Sequence, residues 1–484
     1  MMKQKNDYWK LFLLLECALL LFLGIFYFSC GEALYVRKSD GNIEESGFTN
    51  DTGELLEGGV VEQTYTSQMD QLTAIGVMVS NYGQASESQL TIRVEDVTEG
   101  HMLAQQTYRV ADIGINSYVY LPVPEHTKLR RGSLVKITLT SDAAGGSAPT
   151  ALYQAGYVFE KDAVGKDAVL RINGEEVQGA LCIAVQGNND VWTGPNFWKL
   201  VCLAVLLSAA VYCLLAYRSI RGKTSYFFAL FGVLNRYGFL IQQLVARDFK
   251  TRYKRSVLGV FWSLLNPLLT MTVQYIVFST LFKSDIDNYQ VYLLTGLVVF
   301  NFFNEGVGQG LTSIVGNASL ITKVYLPKYV YPVTRVLSSG INLLMSLIPL
   351  VLVAAITGET FTRSYLMAPY ILLCIMIFTI GFGMIMASAM TFFRDMQFLW
   401  GILSLLWMYL TPVFYPITII PVETRRYFGY NPMIHYINAL RSIVMDGTAP
   451  RPSEFAICTL WACGILFTGC LIFKKTQDKF IFYI

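Results

Sequence analysis

The stretch 242–269, QQLVARDFKTRYKRSVLGVFWSLLNPLL, joins a basic amphipathic segment to an apolar one without a break. In its basic part, five cations face a single acid, Asp248, and the apolar residues fall on one helical face. These cations are Arg247, Lys250, Arg252, Lys254 and Arg255. Such a helix is expected to lie in the plane of the lipid headgroups. The apolar run 257–282 that follows is long enough to cross a hydrocarbon core, which needs about 20 residues.

The composition of the whole chain agrees with a membrane location. Hydrophobic residues make up 54% of its 484 residues and charged residues only 15%, against about 25% charged residues in soluble domains. Its charges are segregated, because residues 31–196 carry 11 Lys and Arg against 22 Asp and Glu, whereas residues 218–257 carry nine against one. Since cations stay on the cytoplasmic side of a membrane, the asymmetry predicts topology and gives no support to nucleic-acid binding.

Eight apolar runs have the length of transmembrane helices. They are 11–30, 197–217, 257–282, 290–310, 331–357, 366–392, 397–414 and 454–473. An even number returns both termini to one side, and the cations that flank the first, second and last runs predict that this side is cytoplasmic. The first run is expected to be an uncleaved signal anchor. The short apolar patch 226–234 is expected to lie on or dip into the cytoplasmic leaflet.

The acidic segment between the first two runs is expected to be all-β and extracytoplasmic. Leu90, Ile92 and Val94 alternate with polar residues, and 135–139 shows the same period, which is typical of half-buried strands. Further short candidates are 72–79, 103–110, 118–121 and 181–185. Six or more short strands predict a sandwich of the jelly-roll type, a fold that often binds carbohydrate.

The sequence therefore predicts an α-helical polytopic membrane protein with about eight transmembrane helices and an inserted all-β extracytoplasmic sandwich. Its expected parts are a cytoplasmic N-terminus and first helix (1–30), the sandwich (31–196), a second helix (197–217), a basic cytoplasmic interface segment (218–256) and a six-helix core (257–484). The nine cysteines offer no disulfide framework, and the three histidines have no metal-ligand spacing with them. We therefore predict no metal site.

Several pieces of the second half of the chain, in this order, resemble one protein family. They are RDFKTRYK (247–254), LGVFWSLLNPLL (258–269), LITKVYLPK (320–328), FFRD (392–395), LTPVFYP (410–416), NPM (431–433) and ALR (439–441). Together they resemble the type-2 ABC transporter permeases that export lipid-linked polysaccharides such as O-antigen and teichoic acid. The resemblance covers roughly 234–484, so it does not explain the first half of the chain.

The resemblance implies how such a chain obtains energy. No phosphate-binding loop of the GxxxxGK[ST] type is present, since the lone Gly222-Lys223-Thr224 lacks the first glycine. A separate ABC ATPase that binds ATP and Mg²⁺ would dock on the loop 312–328, which is similar to the family's coupling helix; the alternative is an ordinary polar loop. The candidate coupling residues are Ser319, Leu320, Lys323, Tyr325, Arg394 and Asp395, of which the last two could instead pair locally. Segment 417–430 would form short re-entrant helices at the outer face.

Two residue sets are candidates for substrate contact. The cations Arg247, Lys250, Arg252, Lys254 and Arg255 could attract the pyrophosphate of a lipid-linked glycan, or could equally be positive-inside anchors. Aromatic side chains can stack on sugar rings, although belts at the membrane interface use the same residues. The channel candidates are Trp262, Tyr275, Phe278, Trp407, Tyr409, Phe414 and Tyr415. Glu305 and Glu16 are intramembrane acids, and Glu16 is expected to face neighbouring helices.

These observations favour the membrane subunit of an ABC exporter for a lipid-linked polysaccharide in the bacterial plasma membrane, a transporter and not an enzyme. It would act as a permease homodimer with two ATPases, because one such core supplies half of a pathway. The alternatives are an ABC exporter of a lipid or drug, a membrane-anchored glycan-binding or assembly protein, and a membrane glycosyltransferase. Eight spans are more than an anchor needs, and no acidic nucleotide-sugar motif is evident on the cytoplasmic side.

Overall fold

The computed structural model describes residues 2–42, 50–81, 87–124, 129–144, 148–155, 169–220, 226–253, 258–281, 288–323, 326–420 and 422–483. The chain divides into two compact units. One unit is Glu32–Phe197, and the other combines Met1–Gly31 with Trp198–Ile484.

The unit Glu32–Phe197 is built of two antiparallel sheets. Its described strands are β1 (Val36–Asn42), β2 (Asn50–Asp51), β3 (Val60–Thr66), β4 (Gln71–Ser80), β5 (Gln89–Asp96), β6 (His101–Arg109), β7 (Ser117–Pro122), β8 (Leu134–Ser141), β9 (Thr150–Ala155), β10 (Val169–Ile172), β11 (Glu175–Val177), β12 (Gly179–Leu181) and β13 (Ile183–Asp190). One sheet follows the order β1-β13-β4-β9-β12, with β2 beside β9 and β7 beside β4. The other follows the order β11-β10-β3-β8-β5-β6.

Alternating side chains build the core that these two sheets share. In β5 and β8 every second residue is buried, as expected where one face of a strand packs and the other meets solvent. Ile92 and Ile137 of the six-stranded sheet belong to the same buried cluster as Ile75 and Val185 of the seven-stranded sheet. The predicted β-sheet structure of this region is confirmed by its described residues, and the jelly-roll type stays a prediction.

One predicted strand, 181–185, is wrong as a single element. It is split between β12 and β13, with Cys182 between them. The backbone N–H of Cys182 donates to the carbonyl of Leu152 at 2.9 Å, and its carbonyl accepts from Met78 at 2.9 Å. The chain therefore changes neighbours at this residue, which a hydrophobicity pattern does not reveal.

The other unit is helical. Its helices are α1 (Met2–Tyr35), α2 (Thr193–Ile220), α3 (Tyr226–Tyr253), α4 (Trp262–Leu281), α5 (Tyr289–Thr312), α6 (Ala318–Ile321), α7 (Val330–Ile356), α8 (Ala368–Phe392), α9 (Met396–Tyr409), α10 (Val422–Phe428), α11 (Pro432–Val444), α12 (Pro452–Thr476) and α13 (Phe480–Tyr483). Helices α1 and α2 each have one end in the β unit, as its boundaries show.

Six apolar stretches of the described chain are long enough to span a membrane. They are Phe12–Gly31, Thr193–Leu214, Tyr289–Thr312, Val330–Ile356, Arg363–Phe392 and Pro452–Tyr483. Helix α4, which has 20 residues, would be about 30 Å long at 1.5 Å per residue. The chain is thus a multi-pass membrane protein, and the predicted total of eight crossings stays a prediction.

The run predicted as a span at 397–414 forms a shorter helix than expected. Helix α9 has 14 residues and is therefore about 21 Å long, less than the roughly 30 Å of a hydrocarbon core. It ends at Tyr409, and turns follow. Pro412 accounts for this end, because proline has no N–H to donate and disfavours helical geometry at the residue before it.

The patch 226–234 is likewise not a separate element. It begins α3, and the helix continues through the basic segment to Tyr253. The region 417–430 forms a 3-10 turn at Ile417–Ile419 and the short helix α10, in agreement with the prediction that it does not span.

Small residues allow two spanning helices to approach closely. A Cβ atom placed on Gly469 of α12 would lie only 2.3 Å from the carbonyl oxygen of Gly381 in α8. Both positions therefore need glycine, as at many helix contacts in membranes. Helix α1 packs beside this pair through aromatic rings, with Phe22 stacked on Tyr370 at 4.7 Å and Phe26 at 5.1 Å from Phe455. Glu16 of α1 accepts a hydrogen bond from Ser208 of α2 at 2.7 Å, so its carboxylate does face a neighbouring helix.

Candidate functional site

A polar cavity of about 390 Å³ lies among α3, α5 and α7. Its lining comprises Arg247, Asp248 and Thr251 of α3, Gln309 of α5, and Arg335, Ser338 and Ser339 of α7. All of these side chains carry hydrogen-bonding groups, and two are cationic. The volume falls in the usual range for small-ligand pockets.

Asp248 connects the two arginines of this cavity. Arg247 donates from Nε and Nη2 to Asp248 Oδ1 at 3.1 and 2.9 Å, and Nη1 of Arg335 lies 3.3 Å from Oδ2. The Asp248 side chain is only 9% exposed, whereas Arg247 and Arg335 are 49% and 29% exposed. Because Arg335 belongs to a different helix, the carboxylate bridges α3 and α7. Arg247 and Arg335 carry two positive charges against the one negative charge of Asp248, so the three side chains together are positively charged.

The polar surface of α5 and α7 continues beyond the cavity. Glu305 lies one helical turn before Gln309, and its Oε1 accepts a hydrogen bond from Nδ2 of Asn342 at 2.8 Å. Asn342 lies one turn after Ser338. A carboxylate within a spanning helix is costly unless it has such a partner. Glu305 therefore belongs to the same polar strip that leads to Arg335.

Of the cations predicted to meet the substrate, Arg247 reaches the cavity. Lys250 is exposed on α3 and is not among the lining residues. The side chain of Arg252, and all of Lys254 and Arg255, lie outside the described residues. The sequence did not single out Arg335, although a cation inside the apolar run 331–357 was a signal that could have found it.

Five of the seven predicted channel aromatics form one cluster. Phe278 stacks on Phe414, with centroids 5.3 Å apart and planes 9° apart, and Tyr409 lies 6.1 Å from the same ring. Tyr275 joins through Tyr289 at 6.2 Å, and the hydroxyl of Tyr415 donates to the carbonyl of Tyr409.

The other two channel candidates lie elsewhere. Trp407 packs against Phe303 and Phe382 at 5.0 and 5.6 Å and donates to Asn431 Oδ1 at 2.9 Å. Trp262 is exposed at the start of α4. Trp407 thus packs into an aromatic core of the helical unit. Such packing is an alternative to channel contact that the sequence left open for any single aromatic residue.

The turn 410–416 beside the aromatic cluster is held by a buried arginine that sequence reasoning did not select. Arg441 of α11 is 7% exposed and donates to the carbonyls of Pro412, Val413 and Tyr292 at 2.9, 3.1 and 3.2 Å. Its guanidinium also lies 3.4 Å from the ring centre of Tyr292. Burial lowers the pKa of Arg441 to about 10, so the side chain stays charged at neutral pH.

Tyrosine hydroxyls satisfy further carbonyls of the same turn. Tyr289 donates to Phe414 at 2.5 Å, and Tyr292 donates to Tyr415 at 2.8 Å. Each of these hydroxyl groups satisfies a backbone carbonyl oxygen in the turn that follows α9. The turn is therefore rigidly positioned and presents Phe414 to the ring of Phe278.

A partly buried histidine links α11 to the start of α12. Nδ1 of His435 lies 2.9 Å from Glu454 Oε2, and Nε2 lies 2.8 Å from the carbonyl oxygen of Gly429. Both neighbours are hydrogen-bond acceptors, so both ring nitrogens must donate, which requires the protonated ring. The hydrogen bond that His435 donates to Glu454 raises the pKa of His435, against the opposing effect of burial.

The loop predicted to couple to an ATPase contains the short helix α6. Ser319 and Lys323 are exposed, and Leu320 is half-buried against a cluster that includes Ile314, Tyr331 and Phe480. Nζ of Lys328 donates to the carbonyl of Gln477 at 2.6 Å. The loop is therefore braced by the segment Gln477–Tyr483, while the side chains of Ser319 and Lys323 face outward. Tyr325 lies outside the described residues.

Arg394 and Asp395 are exposed between α8 and α9. The carbonyl of Asp395 accepts the backbone N–H of Phe398 at 3.0 Å, and this residue is the N-cap of α9. The neighbouring Phe392 belongs to the cluster on which Leu320 packs. Both parts of the predicted coupling surface thus rest on one apolar cluster, and their role stays a prediction.

Comparison with known proteins assigns the helical unit to a family. The family profile of ABC-2 type transporters matches residues 239–445, a range that includes the arginine cavity, the aromatic cluster and the loop 312–328. The β unit lies outside this match.

Individual relatives are similar to about half of this chain. An O-antigen export system permease protein of Klebsiella pneumoniae is 33% identical over 249 residues, which are 50% of this chain and 95% of the relative. The corresponding protein of Myxococcus xanthus is 30% identical over 51% of this chain and 96% of its own length. A polysialic acid transport protein of Escherichia coli is 24% identical over 50% and 95%. The chain therefore belongs to the ABC-2 type transporter family, among the permeases of polysaccharide export.

Proposed function

We propose that this protein is the permease subunit of an ABC exporter that moves a lipid-linked polysaccharide, such as an O-antigen, teichoic acid or similar surface glycan, across the bacterial plasma membrane. The observation that carries the proposal is the likeness of half the chain to nearly the whole length of O-antigen export permeases. The Escherichia coli polysialic acid transport protein supports the same substrate class.

In this proposal the cations of α3 attract the pyrophosphate of the lipid carrier. Arg247 stands at a polar cavity near the end of the spanning helix α5, where a headgroup can be held without burying it in hydrocarbon. A cation near the membrane surface is worth about 1 kcal/mol against anionic groups. Lys250, Arg252, Lys254 and Arg255 add to the local field and also anchor α3 at the surface.

Sugar units would pass the aromatic cluster. Phe278 is partly exposed and stacks on the buried ring of Phe414, and Tyr275, Tyr409 and Tyr415 add rings with hydroxyl groups. The C–H faces of sugars pack on such rings, and the tyrosine hydroxyl groups can form hydrogen bonds with the hydroxyl groups of the sugars. The turn 410–416, fixed by Arg441, would keep these rings in place during passage.

A separate ATPase would supply the energy and dock on the loop 312–328 together with Arg394 and Asp395. ATP and Mg²⁺ would bind to that partner, and two permeases with two ATPases would complete the pathway. The exposed side chains of Ser319 and Lys323 on a braced apolar base suit such a contact, because a rigid base transmits movement. Tyr325 completes the proposed surface.

The acidic β unit would lie outside the membrane, with both chain termini in the cytoplasm. Helices α1 and α2 lead into and out of it. In this proposal the β unit receives the emerging glycan or shields the exit of the pathway. Replacing 32–197 by a short linker tests this role, because normal export together with no binding of the cell's own polysaccharide to the separate unit would contradict it.

The decisive experiment is reconstitution in vesicles together with the partner ATPase. ATP-dependent appearance of the lipid-linked polysaccharide on the far side is expected, and an ATPase variant without its catalytic glutamate serves as the control. The permease purified alone is expected not to hydrolyse ATP. Robust hydrolysis by this chain alone, or transport of lipids and drugs without glycan, would contradict the proposal.

A further inference from the structure

The arrangement around Asp248 resembles an anion site that is already filled. Two arginines from separate helices converge on one carboxylate, which is 9% exposed at a cavity large enough for a small ligand. Arginine forks bind carboxylates and phosphates with the same paired hydrogen-bond geometry. The carboxylate of Asp248 thus occupies the position where a phosphate group would sit.

The cavity holds more polar groups than one carboxylate uses. Besides the two arginines, the side chains of Thr251, Gln309, Ser338 and Ser339 face the same space. A diphosphate has more acceptor oxygens and more negative charge than a carboxylate, so it can engage both guanidinium groups and several of these polar groups at once. A single carboxylate on a short side chain cannot.

We propose that Arg247 and Arg335 form one binding site for the diphosphate headgroup of a lipid, and that Asp248 is its resident competitor when no substrate is present. The inference deepens the proposed function and rests on it. Because any ligand must displace the carboxylate, Asp248 weakens binding of all anions by the same factor. The affinity of the site for abundant phospholipids, which bear one phosphodiester, is then too low for them to fill it. A diphosphate binds more tightly and still fills it.

The sign of one mutation separates this role from a structural one. If Asp248 competes with the ligand, Asp248→Asn strengthens binding. If Asp248 only holds α3 to α7, the same change weakens binding or leaves it unchanged. The test uses the full chain in detergent micelles, with farnesyl diphosphate and dihexanoyl phosphatidylglycerol as probes and calorimetry as the measurement.

We expect Asp248→Asn to bind both probes about tenfold more tightly, because the charge-assisted hydrogen bonds of the arginines are no longer taken by the carboxylate. Arg335→Gln is expected to bind the diphosphate about tenfold more weakly. In the double variant, the gain from Asp248→Asn should shrink, since the two residues act on one another. In phosphatidylglycerol bilayers, the Asp248→Asn chain should lose diphosphate affinity relative to neutral bilayers, whereas the unaltered chain should not.

Matched variants keep the test decisive. Asp112→Asn removes an exposed acid of the β unit and should change neither affinity, and Asp248→Ala replaces Asp248→Asn if the latter does not fold. Unchanged or weaker diphosphate binding by a folded Asp248 variant overturns the competitor role. Failure of the unaltered chain to bind the diphosphate overturns the site itself. The exporter proposal is judged separately, by transport in vesicles with the ATPase.

Discussion

Two arginine sites in the helical unit differ in what their guanidinium groups contact. Arg441 is buried and donates to three backbone carbonyls. Arg247 and Arg335 are partly exposed and share one carboxylate at a cavity. The backbone carbonyls are fixed in place beside the guanidinium group of Arg441. The side-chain carboxylate, by contrast, can rotate away from Arg247 and Arg335. The first site is therefore a fixed structural clamp, and the second can exchange its partner.

The difference shows how a cation's surroundings indicate its role more clearly than its sequence context does. All three arginines lie in the part of the chain that matches the transporter family, and two of them lie in the motifs RDFKTRYK and ALR. Burial with neutral, immobile acceptors indicates stability, while exposure beside a cavity indicates binding.

Loss of Arg441 should have the largest effect. Arg441→Gln removes charged hydrogen bonds to Pro412 and Val413 and leaves buried carbonyls without donors, which costs at least about 3 kcal/mol. We expect little folded protein in fluorescence-detected size-exclusion chromatography, with partial recovery in Arg441→Lys. The exposed Arg451→Gln is the matched control. Normal folding of Arg441→Gln would show that the turn 410–416 does not depend on this clamp.

The paired change Arg247→Gln and Arg335→Gln should leave folding intact and strongly reduce export. Charge-assisted hydrogen bonds are worth roughly 1.5–3 kcal/mol each, so a loss of about a hundredfold in headgroup affinity is expected. Lys250→Gln, which removes a cation of α3 that does not line the cavity, should have a much smaller effect. Export is measured in reconstituted vesicles at limiting substrate. Equal losses from Lys250→Gln would show that α3 acts through its overall charge.

Strands with a regular local pattern could be predicted from the sequence, and strands without one could not. The strands β5 and β8 were predictable because apolar and polar residues alternate strictly. Strand β3 was not, because Gln63 occupies a core position, where it accepts from the backbone N–H of Leu181 at 3.0 Å and donates to the carbonyl of Thr64. A polar residue in the core breaks the pattern while its hydrogen bonds satisfy the fold.

At the candidate site, the residues that lie within one helix could be predicted, whereas the residue brought in by packing of another helix could not. Arg247 and Asp248 were visible as a basic amphipathic segment, because the pattern lies within one helix. Arg335 reaches them only through the packing of α7 against α3, and no local pattern encodes that contact. Helix α9 was predicted too long for a related reason, since its apolar composition continues through the turn that Pro412 and Arg441 impose.

His435 provides an intermediate case, with a partly buried charge that pH can remove. Its pKa in the folded protein is raised by Glu454 above the ordinary histidine value of 6.5. Its stabilising contribution is therefore complete below pH 6.5 and is lost as the pH rises through the raised value. We expect the melting temperature to fall across that range, and to fall less in His435→Gln, which should cost about 1 kcal/mol at low pH.

His101→Gln, an exposed histidine of the β unit, is the control for this measurement. Its pH profile should follow that of the unaltered chain. A His435→Gln chain whose melting temperature falls with pH as steeply as the unaltered chain would show that the link to Glu454 does not control this pH dependence.

The smallest effect is expected at Lys323, which is exposed on the braced loop 312–328. A solvent-exposed charge contributes at most roughly 1 kcal/mol to a contact, because water and salt screen it. Lys323→Glu should therefore weaken binding of the partner ATPase by about fivefold, as measured by co-purification at increasing salt, without changing the stability of the permease. Arg451→Glu reverses an exposed charge away from this loop and is the matched control. If Lys323→Glu leaves ATPase binding unchanged at low salt, where screening is weakest, the docking surface lies elsewhere and Lys323 is a solvated surface charge.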